Sequence, residues 1–375
     1  MSGALVHEWL APRGGSENVF EALTRIFPDA ARYCLWNDSN GRFSVDGETW
    51  LAKTPLRRRK AAAVPLMPLA WRTLPPVDAE WVLASSHLFA HHARFAGSAR
   101  EAPKLVYAHT PARYIWNPEL DARGGSLPAR AAASALKGLD RRRAQEPVAI
   151  AANSVFVQKR IENAWHREST VIHPPVDVGG FLRAAAPDQR DLDTLARLPE
   201  HFLLGFSRFI PYKRLELVID AGIAAGVPVV LAGAGPDEAR LRAFADERAG
   251  SAVFFIPSPG AELYRALLQR SIALVFPAIE DFGIVPVEAM AAGRPVIANA
   301  VGGAAETIVH GRTGALVEGW SRDEMRRAVE MAATLSPDAC RAQAMTFSEE
   351  VFADRIRQWV ADSLDGAQTP EPERA

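Results

Sequence analysis

The sequence predicts an α/β protein made of two doubly wound, parallel halves. Three observations predict it. Short apolar runs alternate with stretches whose apolar residues recur at helical spacing, the pattern of parallel β-α-β units. At 375 residues, the chain is long enough for two domains of ~100–200 residues. Its 26 glycines and 27 prolines are spread along the length rather than clustered, which punctuates many short elements and argues against low complexity.

In the first half, the candidate strands are Ala4–His7, Trp81–Ala84, Lys104–Ala108, Ala149–Ala152 and Thr170–His173. A helix from Ser16 to Ile26 carries its apolar stripe at Val19, Phe20, Leu23 and Ile26. His173-Pro174-Pro175-Val176 is a stiff connector, and the domain boundary is placed there. The first domain is thus 1–175 and the second 176–345. In the second, strands His201–Phe206, Pro228–Ala232, Ala252–Ile256, Ile272–Phe276 and Pro295–Ala300 alternate with helices. Those helices are expected over Pro211–Ala225, Pro236–Arg248, Ala261–Gln269 and Val285–Ala292, with another after Gly302-Gly303. A last helix (346–363) follows the pattern Phe347, Val351, Ile356, Val360, and the tail 364–375 is expected to be disordered.

Composition excludes several function classes. With 43 basic against 44 acidic residues, the net charge of −1 lacks the basic excess of a nucleic-acid binder. Cys34 and Cys340 lie far apart and imply no disulfide framework. No apolar stretch approaches the ~20 residues of a membrane-spanning helix. MSGALVHEWL lacks the basic-then-apolar order of a secretory signal, so a cytoplasmic enzyme is expected. The segment Arg57-Arg58-Arg59-Lys60 followed by AAAVPLMPLAW has two readings. It is either a peripheral patch on the anionic inner face of the plasma membrane, or an exposed loop before a buried helix.

The chemistry-bearing residues gather in a few segments. In Phe206-Ser-Arg-Phe-Ile-Pro-Tyr-Lys-Arg214, Arg208 lies just past a strand's carboxyl end. Pro211 suits a first helical position, which puts Lys213 in the first turn. Two cations beside free backbone N–H groups suit a dianion such as a diphosphate. In Glu280-Asp-Phe-Gly-Ile-Val-Pro-Val-Glu288, Phe282-Gly283 makes a turn and Pro286 starts a helix whose first turn holds Glu288. Both carboxylates are expected at one strand-end edge, where they can accept hydrogen bonds from sugar hydroxyls. The bland alternative makes Glu288 a helix-dipole partner and Glu280 a surface charge. Gly14-Gly15 and Gly302-Gly303 each precede a helix and permit close approach of a ligand to main-chain N–H groups, with Glu306 as a dipole partner. His109 closes a strand and reads either as a cleft residue or as a structural histidine. His91-His92 reads as a helix-surface pair, and no Cys/His cluster has zinc spacing. Asp191-Leu-Asp193 mimics a metal-binding DxD pattern but sits in a solvated linker helix.

These motifs resemble the retaining glycosyltransferases of family four, which have the GT-B architecture: two Rossmann-like doubly wound domains facing across a cleft. The resemblance runs from Gly14-Gly15-Ser16-Glu17 through His109 to the last helix. Ser207–Lys213, Glu280–Glu288 and the following Ala-Met-Ala-Ala-Gly-Arg-Pro-Val-Ile-Ala298 are its most specific parts. Gly233-Ala-Gly235-Pro236 and Gly302-Gly303-Ala-Ala-Glu306 match the family's intervening loops. The resemblance implies that the second domain binds a nucleotide-sugar and the first an acceptor. Arg208 and Lys213 would hold the donor diphosphate and Glu288 the ribose hydroxyls. Glu280, with the backbone N–H groups of Phe282 and Gly283, would position the donor sugar. His109 would face that sugar, Gly15 would approach phosphates or acceptor, and the last helix would cross back onto the first domain. No metal or other cofactor is implied. His109-Thr-Pro-Ala-Arg-Tyr-Ile-Trp116 resembles bacterial mannosyltransferases of surface polysaccharides, with GDP-mannose as donor and a glycan or polyprenyl-linked acceptor. One departure is Pro257-Ser-Pro259, where the family often has glycine beside the nucleobase. UDP- or ADP-sugar donors, an epimerase of the same fold and a non-catalytic nucleotide-sugar-binding protein are the competing readings.

Overall fold

The protein is described from a computed structural model, and the residues described are 2–116 and 127–368. All structural statements concern those residues. The chain divides into two compact units, Met1–Pro175 with Glu350–Ala375, and Val176–Glu349.

In the first unit, seven strands lie parallel in the order β3-β2-β1-β4-β5-β6-β7. They are β1 (Gly3–Leu10), β2 (Ala31–Asn37), β3 (Gly47–Glu48), β4 (Trp81–Ser86), β5 (Lys104–Ala108), β6 (Ala149–Ala152) and β7 (Thr170–Val171). The alternation of side chains explains the layering. Ala4 and Val6 of β1 join Trp36, Trp71 and Phe89 in the core on one face, while Leu5 joins Phe20, Leu23 and Tyr107 on the other. A strand buried on both faces reads as a near-continuous apolar run, as Ala4–Val6 of β1, Trp81–Ala84 of β4 and Leu105–Ala108 of β5 do.

The second unit repeats the plan with six parallel strands, ordered β10-β9-β8-β11-β12-β13. They are β8 (Leu203–Phe206), β9 (Val229–Ala232), β10 (Val253–Ile256), β11 (Ala273–Phe276), β12 (Val296–Asn299) and β13 (Gly314–Val317). Each sheet therefore reverses its strand order once, between β1 and β4 and between β8 and β11. In such sheets ligands lodge outside the carboxyl ends at that switch point.

Several expectations are corrected. The strands β2, β3 and β13 were not foreseen. The segment ARYCLWN of β2 opens on polar residues, β3 is two residues long, and the four residues of β13 are flanked by Thr313 and Glu318, so none gives a clear apolar run. The helix expected over Pro211–Ala225 is two elements, a 3-10 turn Pro211–Lys213 and a helix Glu216–Ala225. Arg214 between them is left-handed, with φ 52°, which no α-helix accommodates. The tail 364–375 is not disordered throughout: the last helix runs Glu349–Gln368, and 369–375 lie outside the described residues. That helix continues because its apolar face extends to Leu364, which packs with Phe352, Ile356, Trp359 and Val360 into the first unit's core.

Candidate functional site

The second unit's switch point collects most of the foreseen residues. Beyond β8 the chain passes Ser207 and exposed Arg208 before buried Phe209 anchors it in the core. The loop after β9 lies directly against this segment: the Phe209 amide donates to Ala234 O (2.9 Å) and the Asp237 amide to Phe209 O (3.0 Å). A Cβ at Gly235 would collide with the Phe209 backbone, so glycine there is a packing requirement. In the loop after β11, the Gly303 amide donates to Glu280 O (2.7 Å), and a Cβ at Gly303 would strike the Asp281 carbonyl.

The two loops meet through one ion pair, Lys213 Nζ with Glu280 Oε1. The Lys213 ammonium also lies 5.2 Å from the Tyr212 ring centroid and 5.8 Å from that of Phe276. Lys213 thus sits in a 3-10 turn rather than in the first turn of a helix, so its placement owes nothing to a macrodipole. The Arg208 side chain has no hydrogen-bond or ion-pair partner among the described residues. Phe282 is buried and Gly283, at φ 156°, precedes the helix Ile284–Ala291.

Glu288 is also displaced from expectation. That helix starts two residues before Pro286, which puts Glu288 in the second turn. Its Oε2 accepts from the Tyr264 hydroxyl at 2.9 Å, and Tyr264 stacks on Phe206 with centroids 3.8 Å apart. Burial pushes the Glu288 carboxyl up to about 7, opposed by the Tyr264 bond and reinforced by the Asp177 charge. Tyr264 was not foreseen, because it reaches the site from the helix Ala261–Arg270, which carries no motif. The Pro257–Pro259 loop holds Ser258 at φ 42°, a conformation better suited to glycine, and its amide donates to Gly233 O (3.3 Å).

In the first unit, Gly14 caps and Gly15 opens the helix Gly15–Ile26 after β1. Buried Glu17, not foreseen, accepts from the Ala11 amide (3.2 Å) and the Ser16 hydroxyl (2.9 Å), fixing that loop. His109 follows β5 and is buried; its Nε2 shares a 2.9 Å hydrogen bond with Ser85 Oγ, which also bonds His7 Nδ1 at 3.1 Å. The His87 ring lies 5.7 Å from His7 and 6.3 Å from His109. Desolvation, then the neighbouring His87, lowers His109 to about 3. It is therefore neutral near pH 7 and can position a ligand but not supply a proton as imidazolium.

His91 and His92 are not a surface pair: both are fully buried. Each places Nε2 3.1 Å from Asp140 Oδ1, while Asp140 Oδ2 accepts the indole N–H groups of Trp116 and Trp165 at 2.7 Å. This is the group among the described residues with metal-ligand geometry. His92 and the two indoles already hydrogen-bond this carboxylate, with His91 packed beside it, so its role is to tie the core together. Asp191 and Asp193 lie in the helix Gln189–Ala196, away from any strand end.

The basic segment is not uniform either. Arg57 donates to Asp38 Oδ1 (2.9 and 2.6 Å), and the Lys60 ammonium lies 4.2 Å from the Trp9 ring centroid. Arg58 and Arg59 are exposed, as are Trp50, Leu66 and Leu69. No helix among the described residues is long and apolar enough to cross a membrane.

Residues 193–345 match the family "Glycosyl transferases group 1". A D-inositol 3-phosphate glycosyltransferase of Mycobacterium sp. (strain KMS) is 32% identical over 199 residues, 49% of this chain and 44% of the relative. A GDP-mannose-dependent alpha-(1-6)-phosphatidylinositol monomannoside mannosyltransferase of Mycolicibacterium smegmatis is 29% identical over 228 residues, 55% and 57% of the two chains. The chain spans about half the length of the curated relatives it matches. The crystal structure of Anabaena Alr3699/HepE in complex with UDP and glucose superposes with a TM-score of 0.68 at 18% identity, over 95% of this chain and 99% of that one. Residues 193–345 are thus similar to a glycosyltransferase group 1 domain, within a chain whose fold matches the GT-B structures.

Proposed function

We propose that the chain is a retaining hexosyltransferase, moving a sugar from a nucleotide-sugar to a glycan or polyprenyl-linked acceptor, with GDP-mannose as the first donor to test. The observation that carries this reading is the Lys213–Glu280 pair beside exposed Arg208 at the second unit's switch point. A diphosphate between Arg208 and Lys213 would take over the ammonium that Glu280 now holds, freeing that carboxylate to accept from sugar hydroxyls. Backbone N–H groups of Phe282 and Gly283 would hold the sugar from the same loop, and Glu288 would accept from the ribose. In the first unit, His109 and Gly15 would serve the acceptor. In the reaction, the C1–O bond to phosphate breaks while a C1–O bond to the acceptor forms on the same face. The acceptor's hydroxyl proton passes to the departing phosphate oxygen, so no protein base is required. The two cations stabilise the developing diphosphate charge, which makes the reaction independent of a metal.

The GDP-mannose donor is supported by the Mycolicibacterium smegmatis relative, and a UDP-sugar by the HepE complex. A thermal-shift panel of GDP, UDP and ADP with EDTA separates them. The true nucleotide at 100 times its Kd adds about 2.7 kcal/mol. A shift for none of the three would refute the donor site, and a shift that EDTA abolishes would refute metal independence.

Exposed Arg58 and Arg59 beside Trp50, Leu66 and Leu69 also support peripheral docking of a cytoplasmic enzyme on an anionic bilayer. At ~1 kcal/mol per basic residue, Arg58→Ser with Arg59→Ser should weaken co-sedimentation with phosphatidylserine vesicles by about tenfold or more. Arg57→Ser should matter less, its guanidinium being engaged with Asp38. Equal sedimentation of all variants would remove the membrane from the account.

A further inference from the structure

The opposite edge of the first unit's sheet, at the amino ends of β4 and β5, holds a cavity of about 350 Å³. Its lining includes Arg94, Arg100, Glu101, Lys104 and Glu146. Lys104 is buried, and its ammonium donates to His91 O (2.8 Å), Ala93 O (3.2 Å) and Glu146 Oε2 (2.8 Å). Glu146 also accepts from Arg72 (3.1 and 2.8 Å) and from Arg143 (2.7 Å). Three cations thus share one carboxylate, which is held down at about 2 despite its burial. The other carboxylate, Glu101, is 3.5 Å from both Arg94 and Arg100, and its side chain is 81% exposed. Three cations, Arg94, Arg100 and Lys104, therefore line the cavity with two carboxylates, and Arg72 and Arg143 hold Glu146 as well.

The two acids are not equivalent. Glu146 is locked by short bonds into the wall. Glu101 makes two long contacts in water, and such pairs contribute at most about 1 kcal/mol. A dianion arriving from solvent meets two guanidinium forks guarded only by that loose carboxylate, with the Lys104 charge fixed behind. Val82, Phe95 and Val148 supply apolar lining for an attached ring, and the volume lies in the range of small-molecule sites. Along β5, five residue steps at ~3.3 Å each place Lys104 about 17 Å from His109.

We propose that this cavity is a second anion site, which takes a phosphate dianion, free or as a phosphate monoester, on Arg94 and Arg100 with displacement of Glu101. The site does not depend on the transferase reading and lies within one unit. Calorimetric titration of the full chain with glucose 1-phosphate, inorganic phosphate and glucose tests it. Wild type should bind both phosphates saturably and glucose not at all. Arg94→Ser with Arg100→Ser should weaken phosphate binding at least about tenfold, the loss of one hydrogen bond to a charged group. Both positions are partly or largely exposed, so an unchanged melting curve is expected. Arg208→Ala with Lys213→Ala should leave this binding intact, which separates it from the donor site. Binding of glucose alone, no saturable heat with either phosphate, undiminished binding in the Arg94/Arg100 variant, or loss in the Arg208/Lys213 variant would each overturn the proposal.

Discussion

Burial holds the Glu288 carboxyl up at about 7, against an ordinary value of 4.5, so the site has a pH signature. A carboxyl whose folded pKa is raised contributes fully below about 4.5, where both states are protonated. That contribution is lost as pH rises through about 7, because only the unfolded chain ionises freely. Glu288→Gln keeps an acceptor for the Tyr264 hydroxyl and removes the ionisation. The variant should match wild type near pH 4.5 and exceed its stability by about 1–3 kcal/mol near pH 8. Denaturant melts at the two pH values check this, and a difference independent of pH would contradict it. The same substitution should weaken nucleotide binding, since a ribose hydroxyl loses a charged acceptor. Arg208, Lys213, Glu280 and Glu288 were legible as candidates because each belongs to a local motif beside a strand end. Tyr264 and Glu17 were not, since the first arrives from a distant helix and the second reads as an ordinary first-turn acid. His91 and His92 were misread because only the fold buries them beside Asp140, whose other oxygen takes the two indoles.

At the scale of elements, the donor loops are held by backbone meeting backbone, and glycine makes that possible. Gly235→Ala sets a Cβ against the Phe209 main chain, which must move along with Arg208 just before it. The change should destabilise by about 1–3 kcal/mol and weaken nucleotide binding in parallel. Gly366→Ala, in the last helix with nothing near its Cβ position, should be neutral or stabilising by up to about 1 kcal/mol. Urea melts of both variants make the comparison, and an equal loss in each would show that close approach is not the reason for glycine at 235. The strands that frame these loops were readable because β5, β8, β9 and β11 are short runs buried on both faces. β2 escaped because its sequence mixes arginine, tyrosine and cysteine, and its burial comes from pairing with β1. The 3-10 turn at Pro211 escaped because a left-handed arginine leaves no mark on apolar periodicity.

Across the whole molecule, the same plan appears in each unit: a parallel sheet, one reversal of strand order, and ligand-competent loops at the carboxyl ends. The helix Glu349–Gln368 closes the first unit's core although it follows the second in sequence, which its apolar stripe alone could not say. The near-zero net charge hides a strongly uneven distribution: exposed Arg208 beside the Lys213–Glu280 pair, the Arg58–Arg59 edge, and five cations around Glu101 and Glu146. The most direct test of the central claim is sugar transfer from the nucleotide-sugar selected by the thermal-shift panel, comparing wild type with Arg208→Ala and Lys213→Ala. Each variant should keep its circular-dichroism spectrum and lose about 10²–10³-fold in kcat, as for removal of a charge-stabilising donor. Wild-type turnover in both would contradict the account.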